Sequence, residues 1–262
     1  MDPIHFGTSA RTLFGIVHAA QAPARSVGVV LCNPLGQEAI RAQRAYRQLA
    51  MALAKERFST LRFDYYGTGD SAGESNEGTL DQWVDDVRTA ADELKDTAGV
   101  TRVSLIGLRL GATLALRAAQ GRAGIDTVVL WDPVLSGAAY LDELRAAHRE
   151  YLERELGHEP DVRAGRRDFA TRGEVLGFPL TPQMENALLS LKIANVSAVA
   201  LLNRLVLVSS QSLHKPEVDR LAALAKSFRH EVVSAEQWNS DEAMNAATVP
   251  TRILQALIAA LT

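Results

Sequence analysis

The stretch Gly107-Leu108-Arg109-Leu110-Gly111-Ala112 decides how the rest of the chain is read. Upstream of it, residues 102–108 make a short apolar run of strand type, and downstream, residues 110–119 place leucine and alanine at helical spacing. A strand that becomes a helix within one residue needs small neighbours, because the turn residue takes a strained backbone and the helix starts hard against the sheet. Gly107 and Gly111 supply that room, and Arg109 stands at the apex.

Outward from this turn the same alternation repeats. Residues 26–33 are continuously apolar, as in a strand covered on both faces. Residues 38–57 carry Ala39, Ile40, Ala45, Leu49, Leu53 and Ala54 at helical spacing, and a strand follows at 60–66. Thr79 is a fitting N-cap for a helix over 80–95, whose Asp81, Asp85 and Asp86 suit the positive end of the helix dipole. A strand over 127–132 ends at Pro133. Runs at 3–6 and 13–19, joined by a Gly-Thr-Ser turn, predict an antiparallel start. Towards the C-terminus the pattern predicts a strand over 204–209, a helix over 216–228, a strand over 231–234 and a helix over 248–261. The sum is an α/β fold with a mostly parallel eight-stranded sheet and helices on both faces.

Residues 136–195 break the rhythm with a charged helical stretch, 142–156, and a Gly- and Arg-rich segment, 157–173. They are expected as a helical cap inserted into a core made of residues 1–135 and 196–262.

Composition narrows the function classes. The 262 residues suit one large α/β domain, and 47% hydrophobic with 23% charged residues leaves ample core material and no disorder signature. A net charge of −3 offers no general attraction to nucleic acid or to an anionic membrane, and no apolar run is long enough for membrane insertion. The single cysteine, Cys32, excludes an intrachain disulfide. Cytoplasmic localisation is the expectation from these features. The six histidines are scattered without metal-ligand spacing, so neither a metal site nor a cofactor is expected.

The chain resembles the α/β-hydrolase superfamily, and within it the serine-aminopeptidase or lysophospholipase-like branch that includes hydrolase-like proteins of exosortase systems. The residues carrying the likeness are the 107–112 turn, Cys32-Asn33-Pro34-Leu35-Gly36-Gln37-Glu38, Phe63-Asp64-Tyr65-Tyr66-Gly67-Thr68-Gly69-Asp70-Ser71, Leu130-Trp131-Asp132-Pro133-Val134 and Gly177-Phe178-Pro179-Leu180. The resemblance implies a nucleophile elbow at Arg109, an oxyanion hole from backbone N–H groups near Leu35 and at Leu110, and a capped pocket at the carboxyl ends of the strands. Leu35, Gly36, Gln37, Glu38, Tyr65, Tyr66, Arg109, Leu110, Asp132 and Trp238 are the expected pocket residues.

The same resemblance implies a Ser, Asp/Glu, His triad, and the chain departs from it three times. Arg109 has donors but no usable lone pair, so it neither attacks a carbonyl nor accepts a proton. Where the acid is expected the chain reads Ser210-Gln211-Ser212-Leu213-His214, and where the histidine is expected it reads Ala235-Glu236-Gln237-Trp238-Asn239-Ser240. A guanidinium at a helix N-terminus opposes the dipole and calls for an anion, with Glu38, Asp132 and Asp64 the candidates. An internal salt bridge is the expected answer, and a ligand carboxylate or phosphate the alternative.

Other features receive structural readings. Cys32 ends an apolar strand as a small hydrophobe. Ser71, in Gly67-x-Gly69-x-Ser71, belongs to a turn. The cluster Arg163, Arg166, Arg167 and Arg172 is balanced by nearby acids.

The expected function is therefore a hydrolase-fold protein that binds a small-molecule ligand, anionic or acyl-containing, or assists a pathway without hydrolysis. The alternatives are an enzyme using the same pocket for isomerase, cyclase, lyase or atypical acyl-ester chemistry, with Glu38 or Asp132 as acid or base, and a surface scaffold that pairs with a second copy of the chain.

Overall fold

The computed structural model describes residues 1–156, 173–196, 201–234 and 249–262. Strands β1 (Asp2–Thr8), β2 (Arg11–His18), β3 (Val27–Cys32), β4 (Thr60–Phe63), β5 (Arg102–Leu108), β6 (Ile125–Trp131), β9 (Leu202–Ser209) and β10 (Ala225–Val232) form one eight-stranded sheet. Their order is β1-β2-β4-β3-β5-β6-β9-β10, with β2 antiparallel to both neighbours and every other pairing parallel.

The continuous apolar runs become central strands because both of their faces are covered. Val30, Cys32, Leu105, Val128, Leu130, Leu205 and Leu207 face one core beneath helices α2 (Leu80–Ala98) and α3 (Leu110–Ala119). Val29, Leu31, Ile106, Leu108, Val129, Trp131, Val206 and Val208 face the other, beneath α1 (Gln37–Lys55) and α7 (Thr251–Ala259). Side chains alternate along a strand, so a run with no polar member serves two cores at once. Thr79 caps α2, accepting from the Gln82 backbone N–H.

Between β6 and β9 the chain leaves the sheet. It forms α4 (Gly137–Leu156), a two-stranded ribbon of β7 (Glu174–Val175) and β8 (Phe178–Pro179), α5 (Pro182–Ser190) and a 3₁₀ turn at Ile193–Asn195. The ends of this excursion are tied together: Ser136 and Lys192 form a β-bridge, the Gly137 N–H donates to the Leu191 carbonyl at 2.8 Å, and the Ile193 N–H to that of Leu135 at 2.9 Å.

One expectation is overturned. The helix expected over 216–228 is α6 (Lys215–Ala222), and its last residues belong instead to β10. Ala225-Lys-Ser-Phe-Arg-His-Glu-Val has no strong strand propensity, but parallel pairing with β9 supplies the hydrogen bonds that propensity does not, and tertiary context wins.

Candidate active site

The site is built on two turns of the same shape. After β5, Arg109 has φ 53° and ψ −121°, and after β3, Gly36 has φ 54° and ψ −123°; each stands at the N-cap of the helix that follows. Glycine adopts such a conformation freely, whereas arginine does so at a cost in strain. The Arg109 backbone is held regardless. Its N–H donates to the Trp131 carbonyl at 3.0 Å, and its carbonyl accepts from Ala112 at 3.1 Å and Val134 at 3.3 Å. Gly111 permits α3 to start at this point: a Cβ there would collide with the carbonyl oxygens of Cys32 and Asn33. At Gly107 it would collide with the backbone of Gly111 and Ala112.

The turn aims the Arg109 guanidinium at two carboxylates. Its Nε donates to Glu38 Oε1 at 3.1 Å, and one terminal nitrogen donates to Glu143 on α4. The Glu38 side chain is 7% exposed and that of Glu143 59%, so the first contact is enclosed and the second faces solvent. The second Glu38 oxygen accepts from the Tyr140 hydroxyl at 2.7 Å, and the guanidinium carbon lies 5.2 Å from the Tyr140 ring centre. Burial raises the Glu38 pKa, opposed by the Arg109 charge and the Tyr140 hydrogen bond. Burial also works against the Arg109 charge, but Glu38 and Glu143 outweigh it and raise the Arg109 pKa.

Of the three anions expected to answer Arg109, Glu38 does so and the other two are engaged elsewhere. Asp64 accepts from the Asp70 backbone N–H at 3.2 Å and from the Asn33 amide at 3.4 Å. Asp132, with φ 43°, accepts from the Ser210 N–H at 2.6 Å, and burial raises its pKa. A carboxylate from the end of β6 thus reaches the loop after β9, where the sequence itself offers none. Glu143 and Tyr140 escape a reading by sequence because they sit on the excursion, whose register over the sheet no local pattern encodes. His230, the last histidine in the sequence, lies within β10 with Nε2 2.9 Å from Ser209 Oγ. Trp238 and the cluster Arg163, Arg166, Arg167 and Arg172 lie outside the described residues.

Beside this centre a cavity of about 210 Å³ opens between the β3–α1 turn, the loop after β4, β8 and α5. Its lining takes in Leu35, Gly36 and Tyr65, together with Trp83, Phe178 and Met184. Gln37, Glu38, Tyr66, Arg109, Leu110 and Asp132 do not line this cavity. Leu110 is buried at the start of α3. The Tyr66 hydroxyl donates to Glu77, in the loop before α2, at 3.1 Å, and its carbonyl accepts from Trp83 Nε1 of α2 at 3.0 Å.

Two structural readings hold in the geometry. Cys32 is fully buried, and burial pushes its thiol pKa far up, so it is no nucleophile. Ser71 donates to the Asp64 carbonyl at 2.6 Å and accepts from the Phe14 N–H at 2.9 Å, which ties the loop after β4 to β2. Among the described residues no group of three or more His, Cys, Asp or Glu side chains is placed to hold a metal, and no helix is long and apolar enough to cross a membrane.

Residues 29–157, from β3 through α4 and including both turns, match the family model of serine aminopeptidase, S33. An esterase of Pyrococcus furiosus superposes over 99% of this chain and 89% of its own, with TM-score 0.65 and 18% identity. This chain has the α/β-hydrolase fold. An enol-lactonase of Burkholderia xenovorans superposes over 98% of this chain and 99% of its own, with TM-score 0.61 and 18% identity. At these identities the likeness is one of fold. In sequence, 84 residues are 39% identical to human mitochondrial palmitoyl-protein thioesterase ABHD10, covering 30% of this chain. The chain matches only about a quarter of that relative's length, 26%.

Proposed function

We propose that this α/β-hydrolase-fold protein does not perform serine-type hydrolysis and acts as a ligand-binding or pathway-accessory protein, with residues 136–195 serving as a cap over its pocket. The observation that carries this reading is the position of Arg109: the elbow geometry is kept, and the side chain on it is a guanidinium engaged by Glu38 and Glu143. A serine hydrolase needs a hydroxyl with a base within hydrogen-bond reach and space in front of it for a carbonyl. Here the elbow supplies no nucleophile, and the space in front is filled by the Arg109, Glu38 and Tyr140 side chains. The esterase, lactonase and thioesterase names among its relatives support acyl-containing small molecules as the ligand class.

The test is steady-state turnover of the purified chain on p-nitrophenyl acyl esters and an acyl thioester. The expected rate equals the buffer blank for both wild type and Arg109→Ala; turnover lost in Arg109→Ala contradicts the reading.

A second reading is favoured by the raised carboxylates. Glu38 and Asp132 have their pKa values shifted upward by burial, the direction that suits a general acid. It is an isomerase, cyclase or lyase, or an atypical esterase, and its signature is turnover that Asp132→Asn abolishes.

A further inference from the structure

The cavity beside the Arg109 centre has a chemistry of its own. Its walls are apolar and aromatic, from Leu35, Tyr65, Trp83, Phe178 and Met184, and its rim carries the exposed neutral polar residues Ser75 and Asn76. Among the described residues Asp64 is the one charged side chain in the lining, and no Lys, Arg or His joins it. Both Asp64 oxygens accept from its own loop and from Asn33, and Arg62, whose charge acts on Asp64, does not line the space. A volume of about 210 Å³ equals roughly seven water molecules at about 30 Å³ each. This is the space of an acyl chain or ring of about six to ten non-hydrogen atoms.

We propose that this cavity is a binding site for a neutral, short-chain acyl ester or alcohol, with the apolar chain against Trp83 and Phe178 and the polar head at the Ser75 and Asn76 rim. The charge inventory decides the class. An anionic ligand would meet a carboxylate and no cation, and it would surrender its hydration in an aromatic chamber, which is costly. A neutral chain gains apolar burial without that penalty. The site sits one turn away from the elbow, on the Gly36 side. Gly36 shapes its wall: a Cβ there would press on the Phe178 ring at 3.1 Å. The proposal rests on the reading of the Arg109 centre as closed to hydrolysis, because otherwise a bound ester would be consumed.

The experiment is calorimetric titration of the full chain at neutral pH with two probes of matched size, methyl hexanoate and sodium hexanoate, while hexanoate release from the ester is followed separately. The ester is expected to saturate one site and to shift the Trp83 indole N–H resonance, with hexanoate at least tenfold weaker. Ala39→Phe, which fills the cavity from α1, abolishes the ester isotherm. Ile40→Arg, at a position 52% exposed and therefore tolerant, narrows or reverses the ester preference by placing a cation at the mouth. Equal or tighter binding of hexanoate, no saturable ester binding, or ester binding unmoved by both variants overturns the site. Release of hexanoate overturns the non-hydrolytic reading instead, and the two variants still judge the cavity.

Discussion

At the scale of single residues, the Arg109–Glu38 contact is asymmetric, and the asymmetry is measurable. Arginine cannot shed its proton in a protein, whereas a buried glutamate can take one up and become neutral. Glu38→Ala therefore strands a charge with only the exposed Glu143 to meet it, while Arg109→Ala leaves a carboxyl that protonates and keeps its Tyr140 hydrogen bond. Removing one partner of a buried pair costs on the order of 3 kcal/mol, and a surface pair is worth under about 1 kcal/mol. Urea denaturation at pH 7 should rank the losses Glu38→Ala above Arg109→Ala above Glu143→Ala. The Arg109→Ala loss should shrink as pH is lowered.

A second residue carries a pH signature. His18 is buried in β2, and Arg62 Nε donates to its Nε2 at 3.1 Å. Burial, then the charges of Arg62, the amino terminus and Arg47, lower its pKa to about 4. The folded value lies below the unfolded value of about 6.5, so between these limits the unfolded chain binds more protons. The stability linked to His18 is complete above about pH 6.5 and is lost as pH falls through the window towards 4. Replacing it by a neutral acceptor, His18→Gln, should flatten the dependence of unfolding free energy on pH across that window.

Among elements, the approach of α3 to β3 is the closest constraint on the site, because Gly111 lies against the Cys32 and Asn33 carbonyls. Gly111→Ala should cost about 1–3 kcal/mol or more, seen as a lower midpoint in thermal unfolding, by forcing the helix off the sheet. This glycine was legible in the sequence, as were α1, α2 and the five strands β3, β4, β5, β6 and β9, because their apolar spacing is set by burial on known faces. The boundary between helix α6 and strand β10 was not legible, since an edge strand covered on few sides carries little periodicity and gains its shape from β9. Likewise Glu38 could be named as an anion for Arg109 from its place after a central strand, but Glu143 and Tyr140 could not. They act from α4, a helix whose position over the sheet depends on packing far from it in sequence. The contact from Asp132 to Ser210 was hidden for the same reason: 78 residues separate donor and acceptor.

For the molecule as a whole, the α/β-hydrolase architecture is kept, and the proposed function holds that its chemistry is altered. The sheet order, the two strand-to-helix turns and the excursion between β6 and β9 are all present. The elbow residue, however, spends its side chain on internal carboxylates. In the proposed function, that arrangement preserves a strained turn on a scaffold used for another purpose. The most direct test is intact-protein mass spectrometry after exposure to a fluorophosphonate probe and, separately, to an acyl thioester. The account predicts an unchanged mass in both cases. A stoichiometric adduct mapping to a serine or to Cys32 would contradict it.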